Sequence, residues 1–206
     1  MKKKVNEIER TQKPSLLKMI THPTVQLNEI RKRPTVWWPL NIIIILNLVS
    51  LYFRISYSDN ETKDIEELIP FMVLVLAGLI IFIFIAPSIM FFISKIFKGQ
   101  SNYRQMLSMF IYISLIGVIG DIVNTIIIIV FQTSPYMQIT SLNSFINSSP
   151  PIENLLKKIE LFTIWSFVLF AIGFRQVSGL SKKASWISSL LLFAIFTVFE
   201  WILSSQ

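Results

Sequence analysis

The sequence predicts an all-α fold, an integral membrane bundle of five transmembrane helices, and three observations support this. Five long stretches are almost entirely apolar, and the whole chain is 53% hydrophobic with a mean hydropathy of +0.62. A helix of about 20 apolar residues spans the roughly 30 Å hydrocarbon core of a bilayer, and its backbone satisfies its own hydrogen bonds there. The loops between the stretches alternate in charge, which fits five crossings.

The chain begins with a polar and basic tail, for which we expect a domain of its own at 1–35. Within 14–34, small apolar patches predict two short helices at the membrane interface. Pro23 and Pro34 separate them, because proline is tolerated at a helix start and obstructs a helix interior. No apolar segment suited to a signal peptide follows the first lysines, so the first span is predicted to act as an uncleaved insertion signal. The patches consist of Leu16, Leu17 and Ile20, and of Val25, Leu27 and Ile30.

The remaining residues, 36–206, form the five-span membrane domain. Trp37 and Trp38 open the first span, at the headgroup level that indole rings favour. The second span is longer than one crossing requires, and Pro87 is expected to bend it. A long segment rich in Ser, Asn and Thr separates the third span from the fourth. The predicted spans are Val36–Tyr57, Leu68–Phe97, Met106–Phe131, Ile159–Phe174 and Ala184–Leu203.

The distribution of Lys and Arg predicts the orientation. Of the 19 basic residues, 15 lie in the tail, the second loop and the fourth loop, which share one side if there are five spans. Positive charge favours the cytoplasmic side, so we expect a cytoplasmic N-terminus, an external C-terminus and a bacterial plasma membrane location. These charges also predict contact with anionic headgroups, at about 1 kcal/mol per residue. No aromatic and basic interleaving accompanies them, so nucleic acid is not an expected partner.

Four polar or small residues of the third span recur at helical spacing: Ser114, Gly117, Asp121 and Asn124. Residues three and four apart share a helix face, which we expect to point into the bundle. Asp121 is the most informative, because a charge in hydrocarbon is costly and is usually paired.

Two further charged residues, Arg54 and Glu200, lie near the ends of spans. Our hypothesis is that Arg54 pairs with one or both carboxylates between spans one, three and five. The alternative is that Arg54 and Glu200 extend to the external headgroups. For Asp121 itself, a packing role and an ion or proton relay both stay open.

The sequence lacks the residues and motifs that most enzyme classes need for catalysis. Cysteine is absent, and His22 is the single histidine, so thiolate sites and His-based metal sites are not expected. No protease, Walker or dinucleotide motif is present. We therefore expect a protein that is not an enzyme and that needs no metal or other cofactor.

Three segments resemble the Yip-domain family of membrane proteins: the entry 34–40 (PTVWWPL) after the basic tail, 98–107 (KGQSNYRQML) in the second loop, and 173–184 (GFRQVSGLSKKA) in the fourth. The resemblance implies the same five-span arrangement with a cytoplasmic N-terminus. Eukaryotic relatives bind small GTPases through an Asp-Leu-Tyr-Gly-Pro motif, which this sequence lacks, so that partnership is not carried over.

Bacterial relatives look like accessory membrane proteins, and some (the YknW-like group) resemble companions of ABC-type exporters that protect against antimicrobial peptides. The resemblance thus implies a non-catalytic accessory or scaffold role beside a membrane complex. A small transporter or channel that uses Asp121 and Asn124 is the alternative, and lipid sensing by the basic tail is a third reading. Candidate residues for cytoplasmic docking or lipid contact are Arg104, Arg175, Lys182 and Lys183, although charge that only sets the topology would explain them too.

Overall fold

The computed structural model describes residues 13–56, 65–132, 139–146, 156 and 159–204. Those residues form seven helices and one short 3-10 helix, Leu142–Ser144. Two short helices of the tail precede five long ones. In chain order they are α1 (Leu16–Thr21), α2 (Pro23–Lys32), α3 (Trp37–Ser56), α4 (Ile65–Ile96), α5 (Tyr103–Phe131), α6 (Leu161–Ser178) and α7 (Lys182–Ser204).

The predicted fold class is confirmed, since the five helices α3 to α7 are long and apolar enough to span a membrane. Their ends differ from the sequence-based bounds where local capping decides. α5 begins earlier because Asn102 and Gln105 form a capping box: each side chain accepts the backbone N–H of the other residue. α6 runs on to Ser178, where Gly179 ends it with a left-handed φ of 71°.

α4 continues through Pro87 without a break in its helical assignment. One turn earlier, the carbonyl of Phe84 accepts hydrogen bonds from Ser88 Oγ at 2.8 Å and from Tyr103 Oη at 3.2 Å. Hydroxyl groups commonly satisfy the backbone near a proline within a membrane helix. The bond from Tyr103 therefore joins α4, one turn before Pro87, to the start of α5.

α5 is the central helix of the bundle, and it packs against α3, α4 and α6. Its middle is apolar and buried, with Ile113 and Ile116 fully inaccessible and Leu115 and Val118 nearly so. Two glycines allow close helix contacts: a Cβ on Gly120 would lie 2.8 Å from Cγ of Phe162, and one on Gly173 would lie 2.5 Å from Sδ of Met109. Small residues at helix contacts are typical of membrane bundles.

The tail helices α1 and α2 pack on the end of the bundle where α6 ends and α7 begins, which we call the tail side; the opposite end is the far side. Met19, Leu27 and Ile30 are fully buried there. Leu17 was expected in the same apolar patch as Leu16, but it is 78% exposed. The buried faces of the tail helices thus cover the protein's own core.

Candidate functional site

A group of polar side chains, which we call the far-side cluster, lies at the far side of α3, α5 and α6. It consists of Arg54, Asp121, Asn124, Thr140, Glu160 and Thr163. Asp121 lies 18 residues beyond the start of α5, which corresponds to about 27 Å along a helix. The cluster is therefore near the far edge of the hydrocarbon core rather than at its centre.

Arg54 and Asp121 approach each other across α3 and α5. Nη2 of Arg54 lies 4.0 Å from Oδ1 of Asp121, which is the outer limit for an ion pair. The Asp121 side chain is 52% exposed, and Nε of Arg54 is buried without a hydrogen-bond partner among the described residues. The contact is therefore loose and only partly enclosed, in contrast to a closed bidentate pair.

A cavity of about 200 Å³ lies beside this pair. Arg54 and Asp121 contribute its charged groups, and Asn47 and Ser50 contribute polar ones. Leucines and a valine of α3 and α4 line the rest, and Ser50 also contacts Thr125 of α5 at 3.1 Å. The cavity can hold a few water molecules around the charges, which lowers the cost of placing them in the membrane.

The second half of the cluster is a chain of hydrogen bonds from α5 through the loop to α6. Asn124 Nδ2 lies 3.4 Å from Thr140 Oγ1, and Thr140 Oγ1 donates to Glu160 Oε1 at 2.8 Å. Glu160 Oε2 accepts from the backbone N–H of Thr163 at 3.0 Å and from its hydroxyl at 2.9 Å. The carboxylate therefore caps α6 and binds the loop at the same time.

One sequence expectation about this region is wrong, and another stays a prediction. The shared face of Ser114, Gly117, Asp121 and Asn124 does not point into the bundle, because Gly117 and Asp121 are exposed and only Asn124 is buried. Spacing defines a helix face, but the positions of the neighbouring helices decide what covers it. The side chain of Glu200, the other expected partner of Arg54, lies outside the described residues.

Glu160 and Thr140 were not among the candidate residues, although both belong to the cluster. One local signal was available for Glu160: it precedes an apolar run and stands three residues before Thr163, as a helix cap does. Thr140 carried no such signal, because only the fold brings its loop to α5. An isolated bridge between Ser141 and Glu160 holds that loop in place.

The four basic docking candidates lie on the tail side, but they do not form one group. Arg175 and Lys182 line the same small cavity between α2, α6 and α7. Arg104 and Lys183 are exposed and do not line that cavity. The structure thus separates two of the four residues as a candidate site.

The hydrogen bonds of the far-side cluster join α5, the loop at Thr140 and the start of α6. Among the residues that the structure describes, no group of three or more His, Cys, Asp and Glu could hold a metal ion. Below the cluster, the buried residues of α5 are apolar through Ile113, Ile116 and Val118. A titratable relay would need polar groups at those depths.

Comparison with known proteins identifies a similar family and one relative. The Yip1 domain matches residues 17–202, which include nearly all of α1 and the five long helices except the last residues of α7. The chain is similar to membrane protein YknW of Bacillus subtilis (strain 168), with 38% identity over 207 residues that cover 92% of this chain and 90% of that protein. No solved structure matches the chain.

Proposed function

Because the chain belongs to the Yip1 domain family of membrane proteins, we propose that it is a non-catalytic accessory or scaffold protein of a larger membrane complex. The complex that we propose is an ABC-type exporter of the plasma membrane, active against antimicrobial peptides or toxins. This partner follows from the resemblance of bacterial relatives to exporter companions. Binding to neighbours within the membrane, rather than conversion of a substrate, is the proposed activity.

The observation that carries the proposal is the open lateral surface of α4. Only 11% of its apolar span is buried inside the protein, compared with 44% for α5. Leu74, Ile81, Ile85 and Phe92 are 70%, 58%, 47% and 66% exposed. Their spacings of seven, four and seven residues place them on one helix face, which we call the α4 stripe. In a membrane such a row is covered either by lipid or by a neighbouring helix. Our proposal assigns the α4 stripe to a helix of the partner.

The alternative, a small transporter or channel, is supported by the cavity beside Arg54 and Asp121. That cavity lies near the far side, and the apolar, buried middle of α5 lies between the cavity and the tail side. A transport route needs polar groups or water along its whole length. We therefore favour the scaffold.

The test is affinity purification from native membranes in a mild detergent, with the co-purifying proteins identified by mass spectrometry. We expect the ATPase and membrane subunits of an ABC-type exporter to co-purify with the wild-type chain. Replacing Leu74, Ile81 and Phe92 by Ala should reduce their recovery at least fivefold, since about 1 kcal/mol of lost packing changes an equilibrium by that factor. Alanine keeps the helix apolar, so insertion is preserved.

The matched control is Ile126→Ala with Val130→Ala, because these residues of α5 are also exposed, at 54% and 66%. The control should leave recovery unchanged. Absence of exporter subunits from the wild-type purification would overturn the proposed partner. Ion or solute flux through liposomes that contain only this chain, abolished by Asp121→Asn, would establish the transporter instead.

A further inference from the structure

The tail side carries a cavity that the proposed function does not use. It has a volume of about 200 Å³ and lies between α2, α6 and α7, near the junction where the chain leaves one span and enters the next. Its polar lining residues are Thr24 of α2, Arg175 and Gln176 of α6, and Lys182 and Ser185 of α7. A water molecule occupies about 30 Å³ in the liquid, so the space accommodates a phosphate group.

The two cations of this cavity come from different helices, both are exposed, and neither has an acidic partner among the residues that the structure describes. The ion pairs among the described residues join Lys32 to Glu29 and Arg54 to Asp121, and neither involves Arg175 or Lys182. Two positive side chains that line one small space, without an acidic partner among those residues, repel each other. An anion between them removes that repulsion, and guanidinium and ammonium groups are the usual ligands of phosphate.

The start of α7 adds a second, independent preference for an anion. α7 is 23 residues long, and its first two residues are Lys182 and Lys183. Ser181 Oγ accepts a hydrogen bond from the backbone N–H of Ala184 at 3.3 Å, so the N–H of the third helical residue has an acceptor. The first N–H groups of a helix have no intrahelical acceptor, and its dipole disfavours cations at this end. A bound phosphate would compensate for both effects.

The surroundings indicate a phosphate that belongs to a lipid. Trp186 lines the cavity and is 42% exposed, and indole rings prefer the headgroup region of a membrane. Ala171 and Ile172 of α6 form an apolar wall on the same cavity. Exposed Ile187 and Leu190 continue along α7 toward the membrane interior. Polar groups at one end and apolar groups at the other match a headgroup with its acyl chains.

We propose that this tail-side cavity binds the phosphate group of an anionic phospholipid, with Arg175 and Lys182 as the charged ligands. Thr24 and Gln176 line the same cavity, and in this proposal they donate hydrogen bonds to the remaining phosphate oxygens. The proposal does not depend on the identity of the protein's partner complex. It predicts that the chain prefers a lipid with net negative charge over a zwitterionic one.

The experiment is native mass spectrometry of the delipidated full-length protein, titrated with phosphatidylglycerol and separately with phosphatidylcholine. We expect Arg175→Gln with Lys182→Gln to weaken the first phosphatidylglycerol site about tenfold or more, as loss of two lipid-facing charges implies. Phosphatidylcholine should bind to the wild type more weakly than phosphatidylglycerol does. The two substitutions should change its binding constant little. The swapped variant, Arg175→Lys with Lys182→Arg, should retain binding, which separates lost charge from misfolding.

The matched control is Lys98→Gln with Arg104→Gln, which removes the same charge from exposed positions on the tail side outside the cavity. It should change the first binding constant by less than about twofold. An equal loss of phosphatidylglycerol binding in the control would show that diffuse surface charge binds the lipid, and it would overturn the proposed site. Displacement of the lipid by millimolar inorganic phosphate would show that a free phosphate suffices and would overturn the lipid as ligand.

Discussion

Gly120 and Phe162 determine how closely α5 and α6 approach. A Cβ on Gly120 would lie 2.8 Å from Cγ and 2.9 Å from Cβ of Phe162, whereas a Cβ on Gly117 would meet no atom within 4 Å. The Phe162 Cβ is attached directly to the backbone, so it cannot move aside without shifting α6. One glycine is therefore required by packing, and the other, three residues earlier, is not.

The first residue-scale prediction concerns these two glycines. Gly120→Ala should lower the free energy of unfolding by about 1–2 kcal/mol, because an added methyl group overpacks a contact that is already closed. Gly117→Ala should cause no loss and can add up to about 1 kcal/mol through helix propensity. Thermal or SDS-induced unfolding of the purified protein measures both. Equal stability of the two variants would contradict the assigned contact.

The tail helices are held to the bundle by a buried hydroxyl group on α5. Tyr112 is fully buried, and its hydroxyl donates to the carbonyl of Pro14 at 2.9 Å. A phenol has one proton, so the contact with Thr35 Oγ1 at 2.7 Å is one in which the threonine donates. Ser108 Oγ also donates to the carbonyl of Thr35 at 2.8 Å. Both ends of the α1–α2 segment are thus bonded to α5.

A prediction at the element scale follows for Tyr112→Phe. The change leaves the buried Pro14 carbonyl without this donor, which costs about 1–3 kcal/mol. Hydrogen exchange of the α1 amides should therefore become at least about fivefold faster, since 1 kcal/mol corresponds to that factor. Amides of α7 should be unaffected.

Tyr52→Phe is the control for that measurement, because Tyr52 is 40% exposed on α3 and its hydroxyl has no hydrogen bond among the described residues. Its α1 amides should exchange as in the wild type. Unchanged α1 exchange in the Tyr112 variant would show that apolar contacts alone hold the tail.

At the scale of the whole molecule, the two ends of the bundle differ in chemistry. The tail side has Arg175 and Lys182 beside one cavity, and neither forms an ion pair within the described part of the chain. The far side has carboxylates whose oxygens accept hydrogen bonds or approach an arginine. The expected orientation, with the tail toward the cytoplasm, would place the basic end on the side that positive charge favours, and it stays a prediction.

Cysteine labelling tests this orientation cleanly, because the native chain contains no cysteine. Phe145, which is 79% exposed on the far side, and Gln100, which is exposed in the tail-side loop, are suitable positions. A membrane-impermeant maleimide should label the Phe145→Cys variant in intact cells. It should label the Gln100→Cys variant only after the cells are permeabilised. The reverse pattern would invert the topology.

The sequence by itself determined the number of helices, their approximate ends and the separation of the basic residues onto one side. The apolar runs are a local property, because a helix needs about 20 such positions to cross a membrane. The caps at Asn102 and Gly179 are local signals too, but the predicted bounds at Met106 and Phe174 did not use them. The same reasoning identified Asp121 and Arg54 as candidate members of an ion pair within the membrane.

Only the tertiary structure decided which faces are covered and which distant residues meet. The spacing of Gly117 and Asp121 could not reveal that both are exposed, because burial depends on where α3, α4 and α6 pack around α5. Thr140 reaches Glu160, and Arg175 shares a cavity with Lys182, through the placement of whole helices and loops. Such contacts follow from helix positions in three dimensions, and no local pattern in the chain encodes them.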